Sequence, residues 1–169
     1  MSKVRASRAM TPAFKKEREA ARKFIRHKRS KGDKFWYRYV RSKVQMSRLD
    51  GLLIGPETEG HHLIAGIEIK WRRFNLHTLM TQHNGEMLMP ADKLLAGQAF
   101  AYAFGVPTLL LYLLDDCLIA QTIVAGNGDK QNVTREIYEL SNKTIEGGTV
   151  QRKNCYVSVE GAETIPLRL

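Results

Sequence analysis

Two largely apolar runs in the second half of the chain constrain its fold more than any other feature. Residues 106–114 and 118–124 contain no charged side chain, and a short segment with two aspartates separates them. Apolar runs of that length, bounded by turn residues, are typical of strands that are buried on both faces. The preceding segment, residues 91–104, predicts a helix, and Gly105 after it readily adopts the left-handed conformation that ends helices. A helix beside buried strands predicts a mixed α/β fold.

The first regular element is predicted to be a basic helix. It should begin at Pro12, after the capping residue Thr11, and run to about Lys31, because Gly32-Asp33 favours its end. Its apolar side chains recur at helical spacing and belong to Phe14, Ala21, Phe24 and Ile25. Residues 1–11 show no such periodicity, and we expect them to form a flexible arm.

The next part of the chain predicts a three-stranded meander and one long connection. Residues 35–44, 49–54 and 63–71 are rich in β-branched, aromatic and other apolar residues, and a turn at residues 55–60 joins the last two segments. Residues 73–89 show no clear pattern. The sequence leaves open whether they form a substrate-facing loop or a poorly ordered excursion.

The C-terminal third predicts two further elements. The pattern of residues 133–140 indicates a helix, and that of residues 149–159 indicates a strand or hairpin. No internal repeat, low-complexity tract or linker divides the sequence. Residues 12–169 are therefore expected to form a single domain.

Basic charge is concentrated at the N-terminal end. Residues 1–48 carry 17 Lys or Arg and three acids, a net charge of +14, so residues 49–169 must carry −4 of the total of +10. This asymmetry favours nucleic acid as the partner, since phosphates along the basic segment would release counterions. We expect DNA phosphates to contact the arginines on one side of the first helix, which are Arg18, Arg22, Arg26 and Arg29. A solvated basic tail is the alternative.

The cysteines and the apolar runs exclude several classes of protein. Cys117 and Cys155 match neither a disulfide framework nor a metal-ligand spacing, so we expect both to be reduced. No apolar run approaches the roughly 20 residues of a membrane span, and the N-terminal residues are too basic for a signal peptide. The sequence predicts a cytoplasmic protein with no membrane partner and leaves a homodimer open.

One predicted strand carries an acid and an amine on the same face. The strand period of two places Glu68 and Lys70 together, with Ile69 on the other face. Phosphodiester hydrolysis needs carboxylates that hold Mg²⁺ and a cation that orients or activates water. The second carboxylate is available in Asp50 on the preceding strand, where an acid without a partner would be costly to bury. The alternative for Glu68 and Lys70 is a solvated ion pair.

Gln98 and Tyr102 lie one turn apart on the helix predicted for residues 91–104. The amide of Gln98 has no evident packing role among small and aromatic residues. We expect it to reach a metal-bound water or a phosphate beside Glu68 and Lys70. Tyr102 could donate a hydrogen bond to a phosphate. The alternatives are an exposed glutamine and a core tyrosine.

The order of these motifs resembles that of the PD-(D/E)XK nuclease superfamily, which has the restriction-endonuclease-like fold. The motifs are Asp50, then Glu68-Ile69-Lys70, then Gln98 with Tyr102. The similarity covers roughly residues 14–124 and includes the order of elements: a helix, a three-stranded meander, a helix and a strand. Gln98 and Tyr102 also resemble the Gln-x-x-x-Tyr motif of RecB-like nucleases, and Gln98 would equally suit the VRR-NUC group.

The resemblance implies a metal site and a role for each residue. Mg²⁺ or Mn²⁺ would be held by Asp50, Glu68 and the backbone carbonyl of Ile69. Lys70 would lie at the attacking water. An acid on the first helix assists in many members, and Glu19 is the candidate here, with Glu17 as the alternative.

Several features depart from this pattern or from other catalytic patterns. Leu49 stands where the superfamily's name has proline, and the cysteines of the iron–sulfur RecB-like nucleases are absent, so no cluster is expected. The spacing of the histidines fits neither a zinc site nor an HNH nuclease, and exposed loop residues are the favoured interpretation of His61, His62, His77 and His83. There is no P-loop and no dinucleotide-binding glycine motif.

The sequence therefore predicts a metal-dependent DNA nuclease, directed to DNA structure or ends rather than to a fixed sequence. Two alternatives belong to other classes. One is a nuclease-like fold that binds nucleic acid without catalysis, and the other is an interaction protein whose basic arm docks an acidic partner. By analogy, a small basic nuclease would suit a phage or mobile element.

Overall fold

The structure, a computed structural model, describes residues 12–33, 38–41, 49–57, 60–142 and 149–167. In chain order the elements are α1 (Pro12–Ser30), β1 (Arg38–Arg41), β2 (Gly51–Glu57), β3 (Gly60–Trp71), α2 (Leu76–Gln82), β4 (Glu86–Pro90), α3 (Ala91–Phe104), β5 (Thr108–Leu113), β6 (Cys117–Val124), β7 (Val133–Asn142), β8 (Thr149–Ser158) and β9 (Glu163–Pro166). The mixed α/β fold is confirmed. No helix among the described residues is both long and apolar enough to span a membrane.

A six-stranded sheet forms the centre of the molecule, in the order β1-β2-β3-β5-β6-β9. The first three strands pair as an antiparallel meander, whereas β3 and β5 run parallel. Parallel neighbours require a crossover connection, and α3 provides it. The predicted order of helix, meander, helix and strand is therefore confirmed, with α2 and β4 inserted before α3.

Helix α1 packs on one face of this sheet, because its apolar residues recur at helical spacing and form one side. The buried group on that face consists of Ala20, Ala21 and Phe24 from α1 with Leu53, Ala65, Ile67, Ile69, Leu111, Leu113, Leu118, Ala120 and Ile165 from the strands. The prediction of Ala21 and Phe24 as core residues is confirmed. The side chain of Phe14 lies outside the described part of the chain.

Helix α3 and a second sheet, in the order β4-β8-β7, cover the other face. Leu94 and Ala101 of α3 share a buried core with Leu110 and Tyr112 of the central sheet. The bounds predicted for α3 are confirmed, and Gly105 ends the helix with a φ of +67°. The two apolar runs form the antiparallel pair β5 and β6, as predicted.

Residues 73–89 differ from the irregular connection that the sequence predicts. They form α2, whose first turn is capped by the Asn75 side chain accepting from the Thr78 amide at 2.9 Å, and then β4. Strand β4 buries alternate methionines, Met87 and Met89, and pairs with β8. That partner strand is distant in sequence, so the local pattern carries no sign of the pairing.

Residues 133–140 were expected to form a helix, and this prediction is wrong. They belong to β7, which pairs with β8 as an antiparallel hairpin. The apolar residues Val133, Ile137 and Leu140 have helical spacing, but Val, Ile, Thr and Tyr favour strands, and pairing with β8 decides the outcome. The strand predicted at 149–159 is confirmed as β8, whereas β9 was not predicted.

The meander also differs in detail. Strand β2 continues through Gly55 and Pro56 to Glu57, where the sequence predicts a turn. Residues 58 and 59, the predicted arm at 1–11, and residues 35–37 and 42–44 of the first predicted strand lie outside the described part of the chain. The prediction that residues 12–169 form one domain stays a prediction.

Candidate active site

Glu68 and Lys70 lie side by side on the face of β3 that α3 and the second sheet cover. Their register partners on β5 are Leu110 and Tyr112, which belong to the core on that face. The ammonium group of Lys70 donates a hydrogen bond to Oε1 of Glu68. Glu68 is fully buried, whereas 18 % of the Lys70 side chain stays exposed. The prediction that the acid and the amine point together is confirmed.

Asp50 is tied to the backbone of β3 beside this pair. It precedes β2, its amide donates to the carbonyl of Ile67 at 3.0 Å, and its Oδ2 accepts from the amide of Ile69 at 2.7 Å. The carboxylate of Asp50 therefore lies next to the backbone of the segment that carries Glu68. With 20 % of its side chain exposed, Asp50 stands at the edge of the buried site.

A second lysine, Lys93, completes the group and was missed in the sequence. It lies in the first turn of α3, with its Nζ 3.2 Å from Oε2 of Glu68 and 3.9 Å from Oδ1 of Asp50. A signal was present, because Lys93 is the single basic residue of a helix that is otherwise almost free of charge. The sequence could not show that this turn lies over the carboxylates.

Two glycines allow α3 to approach the sheet closely enough to place Lys93 there. A Cβ on Gly97 would lie 3.2 Å from Thr108 of β5, whose hydroxyl donates to the Gly97 carbonyl at 3.3 Å. A Cβ on Gly66 would lie 2.9 Å from both Phe100 of α3 and Leu49. Larger residues at these positions would force α3 away from β3, and Lys93 with it.

Burial dominates the electrostatics of Glu68. Desolvation by burial, helped by the negative charge of Asp50, outweighs the lowering by Lys70 and Lys93, so that the pKa of Glu68 is raised from its ordinary 4.5 to about 7. Its Oε2 accepts no hydrogen bond from the described residues, so the approach of Lys93 is an ion pair without hydrogen-bond geometry. A buried carboxylate oxygen without a hydrogen bond is unusual in a folded protein.

The oxygens present suit a hard divalent cation. Mg²⁺ prefers oxygen ligands, is commonly held by one or two carboxylates, and keeps several waters. Asp50 and Glu68 would supply two carboxylates. Among the described residues no group of three or more His, Cys, Asp or Glu side chains could hold a metal ion, so further protein ligands would have to come from the backbone, as expected of Ile69.

Gln98 and Tyr102 are not joined to this group by the contacts they make. Gln98 donates from Nε2 to the carbonyl of Gly128 at 3.0 Å, rather than to Glu68 or Lys70. Tyr102 is 70 % exposed and lies against the same turn, where a Cβ on Gly128 would be 2.4 Å from its ring. Both side chains therefore contact the turn between β6 and β7, and the expected approach of the Gln98 amide to within one water of Glu68 and Lys70 stays a prediction.

The predicted residues of α1 lie on the opposite side of the central sheet. Glu19 pairs with Lys16 at 2.9 Å and with Lys23 at 3.8 Å, on a helix that packs against the Ile67 and Ile69 face. The structure does not bring Glu19 to the acid pair, and Glu17 belongs to the same helix. The exposed arginines of α1, turned away from its buried side, are Arg18, Arg22, Arg26 and Arg29.

The cysteines agree with the sequence interpretation. Cys117 and Cys155 are free and buried. Burial raises the pKa of both thiols to about 12, which makes them poor nucleophiles and poor metal ligands. The expectation of four exposed loop histidines is wrong in part: His61 and His62 belong to β3, and His62 is half-buried, whereas His77 and His83 are exposed and lie on and just after α2.

Comparison with known proteins gives a structural similarity and no sequence match. No protein-family profile matches the sequence, and no curated protein matches it. The structure is similar to that of Archaeoglobus fulgidus Hjc, a Holliday junction resolvase from an archaeal hyperthermophile. That similarity has a TM-score of 0.44 and 14 % sequence identity, and it covers 81 % of this chain and 86 % of that one. The chemistry of the site itself must carry the functional assignment.

Proposed function

We propose that this protein is a metal-dependent nuclease that hydrolyses DNA phosphodiester bonds. One observation carries the proposal: a fully buried glutamate has a carboxylate oxygen without a hydrogen bond, next to a second carboxylate and two lysines. A buried ion pair offsets its desolvation cost only when further hydrogen bonds satisfy the remaining carboxylate oxygens, which is not the case here. Paired carboxylates with an adjacent amine are also the groups that metal-assisted phosphodiester hydrolysis requires.

Each residue of the site would have a definite task. Asp50, Glu68 and the carbonyl of Ile69 would hold Mg²⁺ or Mn²⁺, which when bound polarises the phosphate and lowers the pKa of water. Lys70, hydrogen-bonded to Glu68, is placed to orient the attacking water and to offset negative charge that develops on the phosphate. The hydrogen bond from the Ile69 amide would hold the Asp50 carboxylate in position.

The distribution of basic residues supports DNA as the substrate. Besides the arginines of α1, a basic group lies at the end of β3, where Lys16 and Arg73 stand over the ring of Trp71 at 5.9 and 5.0 Å from its centroid. No carboxylate in the described part of the chain pairs with Arg73, which is exposed. Such cations with an aromatic ring suit a phosphate backbone, and they favour recognition of DNA structure or ends over base sequence.

The direct test uses linear, circular, single-stranded and branched DNA, each incubated with Mg²⁺, Mn²⁺ or a chelator. We expect cleavage with either metal ion and none with the chelator. Asp50→Asn should abolish cleavage and retain DNA binding, because it removes a metal ligand and a negative charge that faces phosphate. Glu136→Gln, at an acid of the β7–β8 hairpin, is the matched control and should cleave normally.

The second candidate is a DNA-binding module without catalysis. It is favoured by the charge balance of the group, because Lys70 and Lys93 together match the charges of Asp50 and Glu68 without a metal ion. Binding that is equally tight in Mg²⁺ and chelator, with no cleavage of any DNA form, would support this candidate and exclude the nuclease.

A further inference from the structure

We propose that Lys93 competes with the divalent cation for Asp50 and Glu68, and that it moves to a DNA phosphate when the cation binds. Lys93 would thereby couple metal binding to DNA binding. This inference rests on the proposed function and adds a residue that the sequence motifs do not contain. Lys93 would regulate metal binding at the site and would not itself be a metal ligand.

Lys93 lies close to both carboxylates of the site. The Nζ of Lys93 lies 3.2 Å from Oε2 of Glu68 and 3.9 Å from Oδ1 of Asp50, so it approaches one oxygen of each carboxylate. A Mg²⁺ ion bound by both carboxylates would lie about 2.1 Å from its oxygens. An ammonium group and a divalent cation cannot both stay at these two oxygens, because their charges repel strongly in a buried site.

The position of Lys93 in α3 is unfavourable for a cation. Lys93 is in the first turn of α3, where the helix dipole disfavours positive charge. Helix stability therefore gives no reason for a lysine at this position, and the two carboxylates do. Lys70 already serves Oε1 of Glu68, so Lys93 serves the oxygen that lacks a hydrogen bond.

Lys93 is able to move away from the two carboxylates. Its side chain is 19 % exposed, and a flexible four-carbon stem carries the ammonium group. A DNA phosphate that approaches the exposed part of Lys93 would offer the displaced ammonium group another anion. Metal and DNA should therefore bind with positive coupling. The metal ion displaces Lys93 from the carboxylates and so frees it to contact a phosphate. A bound phosphate in turn holds Lys93 away from the carboxylates and leaves them open to the metal ion.

The test is calorimetric titration of Ca²⁺ into the full chain, with and without a short DNA duplex. Ca²⁺ has the same charge as Mg²⁺ and also prefers oxygen ligands. In the wild-type protein DNA should tighten Ca²⁺ binding by about five- to tenfold. Lys93→Met should tighten Ca²⁺ binding by a similar factor in the absence of DNA and should reduce the effect of DNA. Lys93→Arg should behave more like the wild type, since it keeps the positive charge.

If Lys93 had only a structural role, Lys93→Met would not tighten Ca²⁺ binding. Lys130→Met, which removes a lysine from the Glu136 carboxylate on the hairpin, is the control and should leave Ca²⁺ affinity unchanged. Unchanged or weaker Ca²⁺ binding by a folded Lys93→Met protein overturns the inference, and Lys93→Gln provides the measurement if the methionine variant does not fold. If cleavage needs metal but the variants bind it alike, the nuclease proposal stands and only the role of Lys93 fails.

Discussion

The two faces of the central sheet differ in how they use charge. On the α1 face the arginines are exposed, the paired His27 and Glu163 keep 19 % and 25 % of their side chains exposed, and the fully buried residues are apolar. On the α3 face Glu68 is fully buried and pairs with the largely buried Lys70 and Lys93. Helix α3 itself carries no charged side chain from Leu94 to Phe104. The basic residues proposed to attract DNA and the groups proposed to cleave it are therefore separated by the thickness of a sheet.

This separation changes the role of the arginine row. A duplex that lies along the outer side of α1 cannot also enter the acid site without passing round an edge of the sheet. The group formed by Lys16, Trp71 and Arg73 stands at the end of β3, next to Lys70 in sequence, and offers such an edge. The α1 arginines would then attract and orient DNA at a distance from the reaction.

The largest expected effect contrasts catalysis on the two faces. Glu68→Ala should lower kcat by at least about a hundredfold, and Asp50→Ala and Lys70→Ala likewise, because each removes a metal ligand or the cation beside it. The double change Arg22→Ala with Arg26→Ala should raise KM and leave kcat within a few-fold. Steady-state kinetics on one labelled duplex separates the two. A fall in kcat for the arginine pair would place α1 at the reaction centre.

The next effect concerns binding by the α1 face. Replacing Arg22 and Arg26 with alanine should flatten the slope of log affinity against log salt by roughly one to two units, about 0.9 for each lost phosphate contact. Filter binding or anisotropy in chelator at several salt concentrations measures this slope. A slope equal to that of the wild type would assign the arginine row to solubility.

The α3 face should show the stability cost of a buried acid. Glu68 has a pKa of about 7 in the folded protein against 4.5 as its ordinary value. Between these pH values the folded protein keeps a proton that the unfolded chain has lost, so wild-type stability should fall as pH rises through this window. Glu68→Gln should therefore be more stable than wild type by about 2 kcal/mol at pH 8 and equal to it near pH 4.

Urea unfolding of both proteins in chelator, at the two pH values, checks this prediction. Glu160→Gln, at an exposed acid, serves as the control and should show no such difference. A Glu68→Gln protein that is less stable than wild type at pH 8 would mean that the two lysines outweigh desolvation.

The α1 face should show the opposite pH dependence. Glu163 of β9 pairs with His27 at 3.0 Å, Lys28 at 2.7 Å and Lys31 at 2.9 Å. Desolvation alone would raise the pKa of Glu163, but these contacts outweigh it and lower the pKa to about 2. A lowered pKa stabilises the fold above the ordinary value of 4.5, and this contribution is lost as pH falls toward 2. Glu163→Gln should cost about 1 to 2 kcal/mol at pH 7, after allowance for solvent screening, and progressively less in acid.

The smallest effect concerns Gln98. Its hydrogen bond to Gly128 indicates that Gln98→Ala should lower stability by about 1 kcal/mol and leave kcat within a few-fold. Thermal unfolding and kinetics of the same preparation measure both quantities. Lost activity at unchanged stability would return Gln98 to the catalytic group, as the resemblance to RecB-like nucleases implies.

Much of the central fold could be predicted from local patterns. The bounds of α1 and α3, the meander and the β5–β6 pair all follow from apolar periodicity and from capping residues such as Gly105. The second sheet could not be predicted, because β4 and β8 are joined only through long-range pairing. For β7 that pairing overrode a helical spacing of apolar residues.

The sequence by itself determined the residues that share a strand face, because the side-chain period of a strand is a local property. Glu68 with Lys70 is the case in point, and Asp50 was found from the cost of burying an acid. Only the tertiary structure decided what lies above that face. The close approach of α3 at Gly97 and Gly66 places Lys93 over the carboxylates and directs Gln98 to Gly128, while α1 keeps Glu19 on the far side. Packing between elements distant in sequence sets these positions, and no local pattern encodes them.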